Sequence, residues 1–274
     1  MEHAAPMSTE SVSAEVNSLP WYHTIELPGG IVTPGEYDHR PVVSKVPLPE
    51  RLDGLRCLDV GTHDGFWAFE MERRGAAEVV AIDVEQADEI DWPEPRPQIN
   101  DELRSAVAQR KRAFEVARDA LGSKVDRRYV SVYELDEAKE GRFDVAFLGT
   151  LLHHLRDPIG ALQGVRRVVD GRLVLVGIFS PVKTVLLPFT PVTELLEYGS
   201  DPFYEMPNLA GLRRQLELGG WEIEKWGRVH LQGYGTSWKN APLLWRGRTN
   251  LRTLPRQLML RRGALHVSVV ARPR

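Results

Sequence analysis

The chain has 274 residues, 42% of them hydrophobic, which is enough to bury one large core and to hold one domain with additions. A single cysteine excludes a disulfide framework and a cysteine metal cluster, and no apolar run reaches the ~18 residues that a membrane span needs. The net charge of -3 is unevenly spread, because eleven Lys and Arg and no Asp or Glu follow Glu224.

The first residues lack the basic and then apolar pattern of a secretory signal, so a cytoplasmic protein is expected. Residues 1–18 are small, polar and without periodicity, and are expected to be disordered. Residues 19–50 differ. Trp21, Tyr22, His23 and Tyr37 stand among prolines and glycines, a mixture that suits an ordered cap on the domain that follows.

From residue 51 the pattern is that of alternating strands and helices. Arg56 to Val60 reads as a buried strand, Gly61 to Gly65 as a tight turn, Gly65 to Arg74 as a helix, and Val79 to Asp83 as a second strand. Cys57, inside the first strand, is a small core residue. An acid closing the strand after a glycine turn, about twenty residues on, suits the two hydroxyls of a nucleoside ribose. The turn is not a dinucleotide fingerprint, since His63 and Phe66 stand where the second and third glycines of G-x-G-x-x-G would be. Asp59-x-Gly61-x-x-x-Gly65 instead suits a cofactor that carries an ammonium group and no phosphate, which is S-adenosylmethionine. The alternative is a plain strand-turn-helix in which the two glycines only relieve backbone strain.

Residues 91–98 hold three prolines and must be a loop, with Trp92 either flanking a ligand or pinning that loop. A helix from Asp101 to Leu121 follows and stops at Gly122. Tyr129 to Tyr133 and Phe143 to Gly149 read as the third and fourth strands, and Arg172 to Phe179 as the fifth. Asp157 caps a helix that has Pro158 in its first turn. The alternation predicts an α/β fold with a doubly wound, mostly parallel sheet. Residues 180–207, rich in proline and aromatics, are expected to wall the acceptor side, with Phe189, Tyr198, Phe203 and Tyr204 forming an apolar or aromatic pocket. Asn208 caps a helix to Leu218, and Trp221 to Leu231 with Ala264 to Ala271 form an antiparallel hairpin whose long connection, 239–263, is Arg-rich.

LDVGTHDG followed by VVAIDV resembles motifs I and II of the class I S-adenosylmethionine-dependent methyltransferases, and VSVYEL, FDVAFLGTLLHHLRDP and GRLVLVG fall in the order those enzymes use. The resemblance covers roughly residues 50 to 230 and implies a Rossmann-like sheet of seven strands. It implies that Asp59, Gly61, Thr62, His63, Gly65, Asp83, Val84 and Gly149 surround the cofactor, with Val132, Tyr133 and Glu134 about its adenine. His63 departs from the pattern, since many members carry glycine there. Trp21, His23 and Tyr37 from the cap, and Tyr198 and Tyr204 from the acceptor-side segment, are then candidates to line the acceptor pocket.

His153 and His154 follow the fourth strand at the ligand edge of the sheet. One of them is the candidate general base, its loss lowering kcat by about 10²-fold or more; alternatively both are packing residues. Adjacent histidines without a carboxylate at helical spacing make a poor metal site, so no metal is expected. Trp21-Tyr-His23 and Leu-His153-His154-x-x-x-Pro158 further resemble the tRNA wobble-uridine carboxymethyltransferases, whose carboxylated donor is held by a lysine and a tyrosine. His23 and His153 occupy those two positions here, which favours ordinary S-adenosylmethionine. Three functions stay open: methyl transfer to a small aromatic or apolar acceptor, modification of tRNA gripped by the basic C-terminal segment, and cofactor binding without turnover.

Overall fold

The computed structural model describes residues 8–196, 203–238 and 263–274. Five parallel strands form the centre of the sheet: β1 (Arg56–Val60), β2 (Glu78–Asp83), β3 (Asp126–Tyr129), β4 (Phe143–Gly149) and β5 (Val169–Ile178). The antiparallel strands β6 (Trp221–Trp226), β7 (His230–Gln232) and β8 (Ala264–Pro273) complete it in the order β6-β8-β5-β4-β1-β2-β3, with β7 also paired to β8. The expected seven-stranded path is present, and the hairpin's first arm is divided into β6 and the short β7. The order reverses at β1, between β4 and β2, and the crevice at such a switch point is where open α/β sheets bind ligands.

The two faces of the sheet follow from the alternation of side chains along each strand. Cys57, Val145 and Phe147 point into one apolar cluster with Trp67, Met71 and Phe114. Leu58, Val60, Ala146 and Leu148 point into the other, with Leu162, Leu173 and Trp221. Helices cover both faces: α1 (Thr9–Ser18), α2 (Phe66–Arg73) and α3 (Asp101–Leu121) belong to the first, α4 (Pro158–Val168) and α5 (Leu209–Leu218) to the second. The local signals hold at their ends. Asp157 and Asn208 accept from Gly160 N–H and Gly211 N–H, and Gly122 closes α3 in the left-handed region; Asn100, not singled out from the sequence, caps the start of α3 by accepting from Leu103 N–H.

Two readings need correction. Residues 9–18 are not disordered but form α1, capped by Ser8. Val12 and Val16, four apart, bury themselves in the first cluster, and Arg112 of α3 donates to Glu15 at 2.6 and 3.1 Å. One buried pair gives too short a stripe to register as a period, so tertiary packing supplies the helix. The third strand ends at Tyr129, and Val132–Glu134 is a single 3-10 turn held by the Ser131 hydroxyl accepting from Tyr133 N–H. Val16→Ala is expected to cost about 1–2.5 kcal/mol through the cavity it leaves, readable as a lowered midpoint in urea unfolding.

The cap forms as a parallel pair, Trp21–His23 against Gly35–Tyr37. Gly35 is required there, since a Cβ would lie 2.3 Å from the His23 carbonyl carbon. The pair is tied to the sheet by Gln232, whose side-chain amide donates to Asp38 O at 2.8 Å, and by Gly235 N–H, which donates to Glu36 O at 2.7 Å. The expected Arg-rich connection falls almost wholly on residues 239–262, outside the described residues.

Candidate active site

β1 delivers the turn to the switch point. Gly61 N–H and Thr62 N–H both donate to Ile82 O of β2, and the chain then bends through left-handed conformations at Gly61 (φ +74°) and Gly65 (φ +96°). At Gly65 a Cβ would meet the Phe69 ring at 2.5 Å, so backbone conformation and space both require glycine. His63 also sits in the left-handed region, at φ +53°, which explains why glycine suits this place. Two hydrogen bonds hold it there. Its N–H donates to Asp83 Oδ2 at 2.9 Å, and its carbonyl accepts from Arg127 Nη1 at 2.8 Å.

Asp83 thus closes the turn as well as ending β2. Its other oxygen accepts from Val84 N–H at 2.9 Å, and Arg127 Nη2 stands 3.7 Å from the carboxylate. Asp59 is different: it is almost fully buried, and its Oδ2 has no hydrogen-bond partner. Burial pushes its carboxyl up to about 6, with the Asp83 charge adding to the rise and Thr62, His23 and Ala68 N–H opposing it. An unsatisfied buried carboxylate oxygen beside a glycine turn fits the ammonium of S-adenosylmethionine. The chain's residues therefore suit the cofactor: Asp59 for the amine, the Gly61–Gly65 turn for close approach, and Asp83 for the ribose.

Tyr133, expected about the adenine, is part of a network that the sequence did not reveal. Its hydroxyl donates to Asp91 Oδ2 at 2.8 Å and accepts from Asp157 N–H at 3.2 Å. Asp91 Oδ2 also accepts from Arg156 N–H at 2.6 Å, and Asp91 O accepts from the Tyr204 hydroxyl at 2.8 Å. The proline-rich loop thereby joins the 3-10 turn after β3 to the segment after β5, and Trp92 pins it by donating to Ala87 O at 2.6 Å. Glu134 is exposed on the 3-10 turn, and Gly149 ends β4.

The residues expected on the acceptor side divide. His153 is buried and His154 half-buried, their rings 4.0 Å apart, with Phe203 at 5.0 and 4.5 Å from them. Burial holds His153 well below the ordinary imidazole value, with the charges of His154 and His266 adding to it. Tyr204 N–H donates to His153 O at 2.8 Å. Phe189, by contrast, is 94% exposed and lines no pocket. Tyr198 lies outside the described residues. Among those residues no group of three or more His, Cys, Asp or Glu could hold a metal ion.

In the cap, Trp21 is a core residue rather than a pocket wall: its indole N–H donates to Val16 O at 2.9 Å, and its ring packs with α1. Its neighbours turn the other way. Tyr22 stacks on His63 at 4.6 Å and leans on Tyr37 at 4.9 Å. His23 N–H and Tyr22 N–H donate to Asp64 Oδ2 at 2.9 and 2.8 Å, and His23 Nδ1 bonds to Asp64 Oδ1. Tyr37 packs toward Tyr234 and Trp238, whose rings stack at 3.9 Å.

A model of the methyltransferase domain matches residues 36–225. The chain belongs to the class I S-adenosylmethionine-dependent methyltransferases. This methyltransferase is 34% identical over 121 residues to the ubiquinone biosynthesis O-methyltransferase of Alkalilimnicola ehrlichii, a match that takes in 43% of this chain and 38% of that enzyme. Its fold is similar to the N-terminal domain of EvdMO1, solved with SAH bound, at a TM-score of 0.58 and 18% identity over 100% of both chains. The same domain solved in the presence of SAH and D-fucose gives 0.57 over 99% of this chain and 100% of that one. The further resemblance to tRNA wobble-uridine enzymes finds no counterpart in these matches. No helix among the described residues is long and apolar enough to cross a membrane.

Proposed function

We propose that this methyltransferase acts on a small-molecule acceptor of aromatic or apolar character. The observation that carries this reading is the acceptor-side wall: the Phe203 ring packs 5.0 and 4.5 Å from the His153 and His154 rings, and the Tyr204 hydroxyl is tied to Asp91 O. Such a wall suits a flat or apolar ligand held by contact rather than a charged polymer. The matched ubiquinone biosynthesis O-methyltransferase is a small-molecule enzyme by name, which favours the same class.

S-adenosylmethionine supplies an already activated methyl group on a sulfonium, so positioning and exclusion of water are what the protein must add. Asp59 and Asp83 would orient the cofactor from the amine and ribose ends, and Gly61 and Gly65 would let the turn approach it. Tyr133 would bound the adenine. His153, His154 and Tyr204 would hold the acceptor in line, and Tyr37, with Tyr22 beside it, would close the cleft from the cap. RNA as acceptor would rest on the Arg-rich stretch 239–263, of which only Gly263 lies within the described residues.

The test is transfer of labelled methyl from S-adenosylmethionine to catechols, phenols, alcohols and amines, with bulk tRNA alongside. Product in the small-molecule set and none in tRNA is expected. Labelling confined to tRNA, with retention that falls steeply as salt rises, would replace this reading with the RNA one.

A further inference from the structure

Asp64 sits inside the cofactor turn, between Gly61 and Gly65, with its side chain fully out of solvent. A carboxylate there would be costly without partners, and it has three: Tyr22 N–H, His23 N–H and the His23 ring. Burial alone would raise its carboxyl; the His23 charge and the hydrogen bonds outweigh that and hold it below the ordinary value. Asp64 is therefore an anion, and the proton on the shared bond belongs to His23 Nδ1. In a neutral ring the lone pair is then on Nε2, which hydrogen-bonds to none of the described residues.

Everything else about His23 is fixed. Its N–H is held by Asp64, its carbonyl accepts from the Thr33 hydroxyl at 2.8 Å, and its ring stacks on Phe66 at 5.6 Å. The ring edge of Tyr22 at 4.8 Å and the rings of His39 at 4.8 Å and His63 at 6.3 Å complete its surroundings, and the side chain keeps 7% of its surface. These neighbours carry no charge near neutral pH. Burial raises the Tyr22 hydroxyl far above neutrality, lowers His63 to about 3, and holds His39 well below the ordinary value, with nearby His23, His266 and His230 adding to the last. The charges around this cluster are the Asp64 and Asp59 carboxylates, which couple to His23, together with Glu36, Arg110 and Arg127, which act on the neighbouring Tyr22 and His63. The His23 ring hydrogen-bonds to the Asp64 carboxylate, whereas His63 Nδ1 stands 4.0 Å from the same carboxylate and His230 and His266 bond to backbone carbonyls.

We propose that His23 is the general base of this methyltransferase, that Asp64 is its positioning residue, and that the acceptor atom is the oxygen of a hydroxyl. The proposal rests on the small-molecule reading above and names the reacting group within it. An amine attacks through a lone pair it already has when neutral, whereas a hydroxyl is a poor nucleophile until its proton is taken. In the reaction the hydroxyl proton passes to His23 Nε2, an oxygen lone pair forms the O–CH3 bond, and the C–S bond breaks with its electrons going to sulfur. The products are the methyl ether, S-adenosylhomocysteine and an imidazolium balanced by Asp64.

Asp64→Asn separates this role from a structural one. The Asn oxygen must stay with the two backbone N–H donors, so its NH2 faces the ring and drives the proton to Nε2, where the lone pair is needed. The experiment compares the parent, Asp64→Asn and His23→Gln by 15N NMR of labelled histidine, by calorimetry with S-adenosylhomocysteine, and by methyl transfer to a panel of catechols, phenols, alcohols and amines. Expected are an Nδ1–H tautomer for His23 in the parent, its reversal in Asp64→Asn, S-adenosylhomocysteine affinity within about twofold, and kcat on a hydroxyl acceptor lowered ~10²–10³-fold in both variants. An Nε2–H tautomer in the parent, kcat within about threefold of the parent in both variants, methylation of amines alone, or a more than tenfold loss of S-adenosylhomocysteine affinity in both would each overturn the proposal, the last by making the pair a cofactor ligand. Failure of the parent to methylate any small molecule would instead bring down the reading on which it rests.

Discussion

Asp59→Asn is expected to make the cofactor-free protein more stable at pH 8 while abolishing tight S-adenosylhomocysteine binding. The Asp59 carboxyl is pushed up to about 6 in the folded chain, mainly by burial, so the fold favours its protonated form. Its contribution to stability is full below the unfolded value of 3.8 and is lost as pH rises through about 6. Above that the folded chain carries a buried anion at a cost on the order of 2–3 kcal/mol, which the neutral amide removes. On the proposed reading the same anion meets the cofactor's ammonium, and an amide in its place should weaken binding ~100-fold or more. In the parent, affinity should fall about tenfold per pH unit once Asp59 protonates, so binding at pH 5 is about tenfold weaker than at pH 7. Thermal unfolding without ligand and calorimetry across pH 5–8 check both halves. A destabilised Asp59→Asn protein that still binds S-adenosylhomocysteine normally would remove Asp59 from the site.

Asp83→Ala should weaken S-adenosylhomocysteine by about 1.5–3 kcal/mol, roughly 10- to 150-fold. Two losses contribute. The ribose hydroxyls lose a carboxylate acceptor, and the turn loses the group that accepts from His63 N–H and Val84 N–H. Asp83→Asn keeps an oxygen for one of those amides and should retain more of the turn. Calorimetry on both variants, with far-ultraviolet dichroism to confirm folding, separates ribose contact from turn geometry: equal losses point to the ribose, and a much milder Asn variant points to the turn. Unchanged affinity in a folded Asp83→Ala protein would falsify the assignment of this residue to the cofactor.

His153 and His154 stand at the end of β4 as their sequence position suggests, but no carboxylate of the described residues bonds to the ring of His153, and burial leaves it well below the ordinary imidazole value. A neutral, aromatic-packed ring of that kind suits acceptor contact. His153→Ala should accordingly raise the acceptor KM more than it lowers kcat, the reverse of the split expected for His23→Gln.

Short-range chemistry was legible in the residues themselves. Caps, left-handed glycines and strand-ending acids act within about four residues, so Asp157, Asn208, Gly122, the Asp59-x-Gly61-x-x-x-Gly65 turn and the place of Asp83 could be read without coordinates. The alternation of apolar strands with helices likewise carried the parallel sheet, because strands covered on both faces must be apolar throughout. What only the tertiary structure decided are pairings between distant segments. Helix α1 exists because two valines find a core built largely from residues after 50. Trp21 turns inward while Tyr22 and His23 turn toward the cofactor turn, a choice set by the strand pairing with Gly35–Tyr37 rather than by their own identities. Asp91 joins Tyr133, Arg156 and Tyr204 across as many as 113 residues. Asp64, an unremarked residue between two glycines, becomes the partner of His23 across 41 residues. Hydrogen bonds of that span leave no periodicity and no local spacing in a single sequence, since their geometry exists only once the cap has packed onto the sheet.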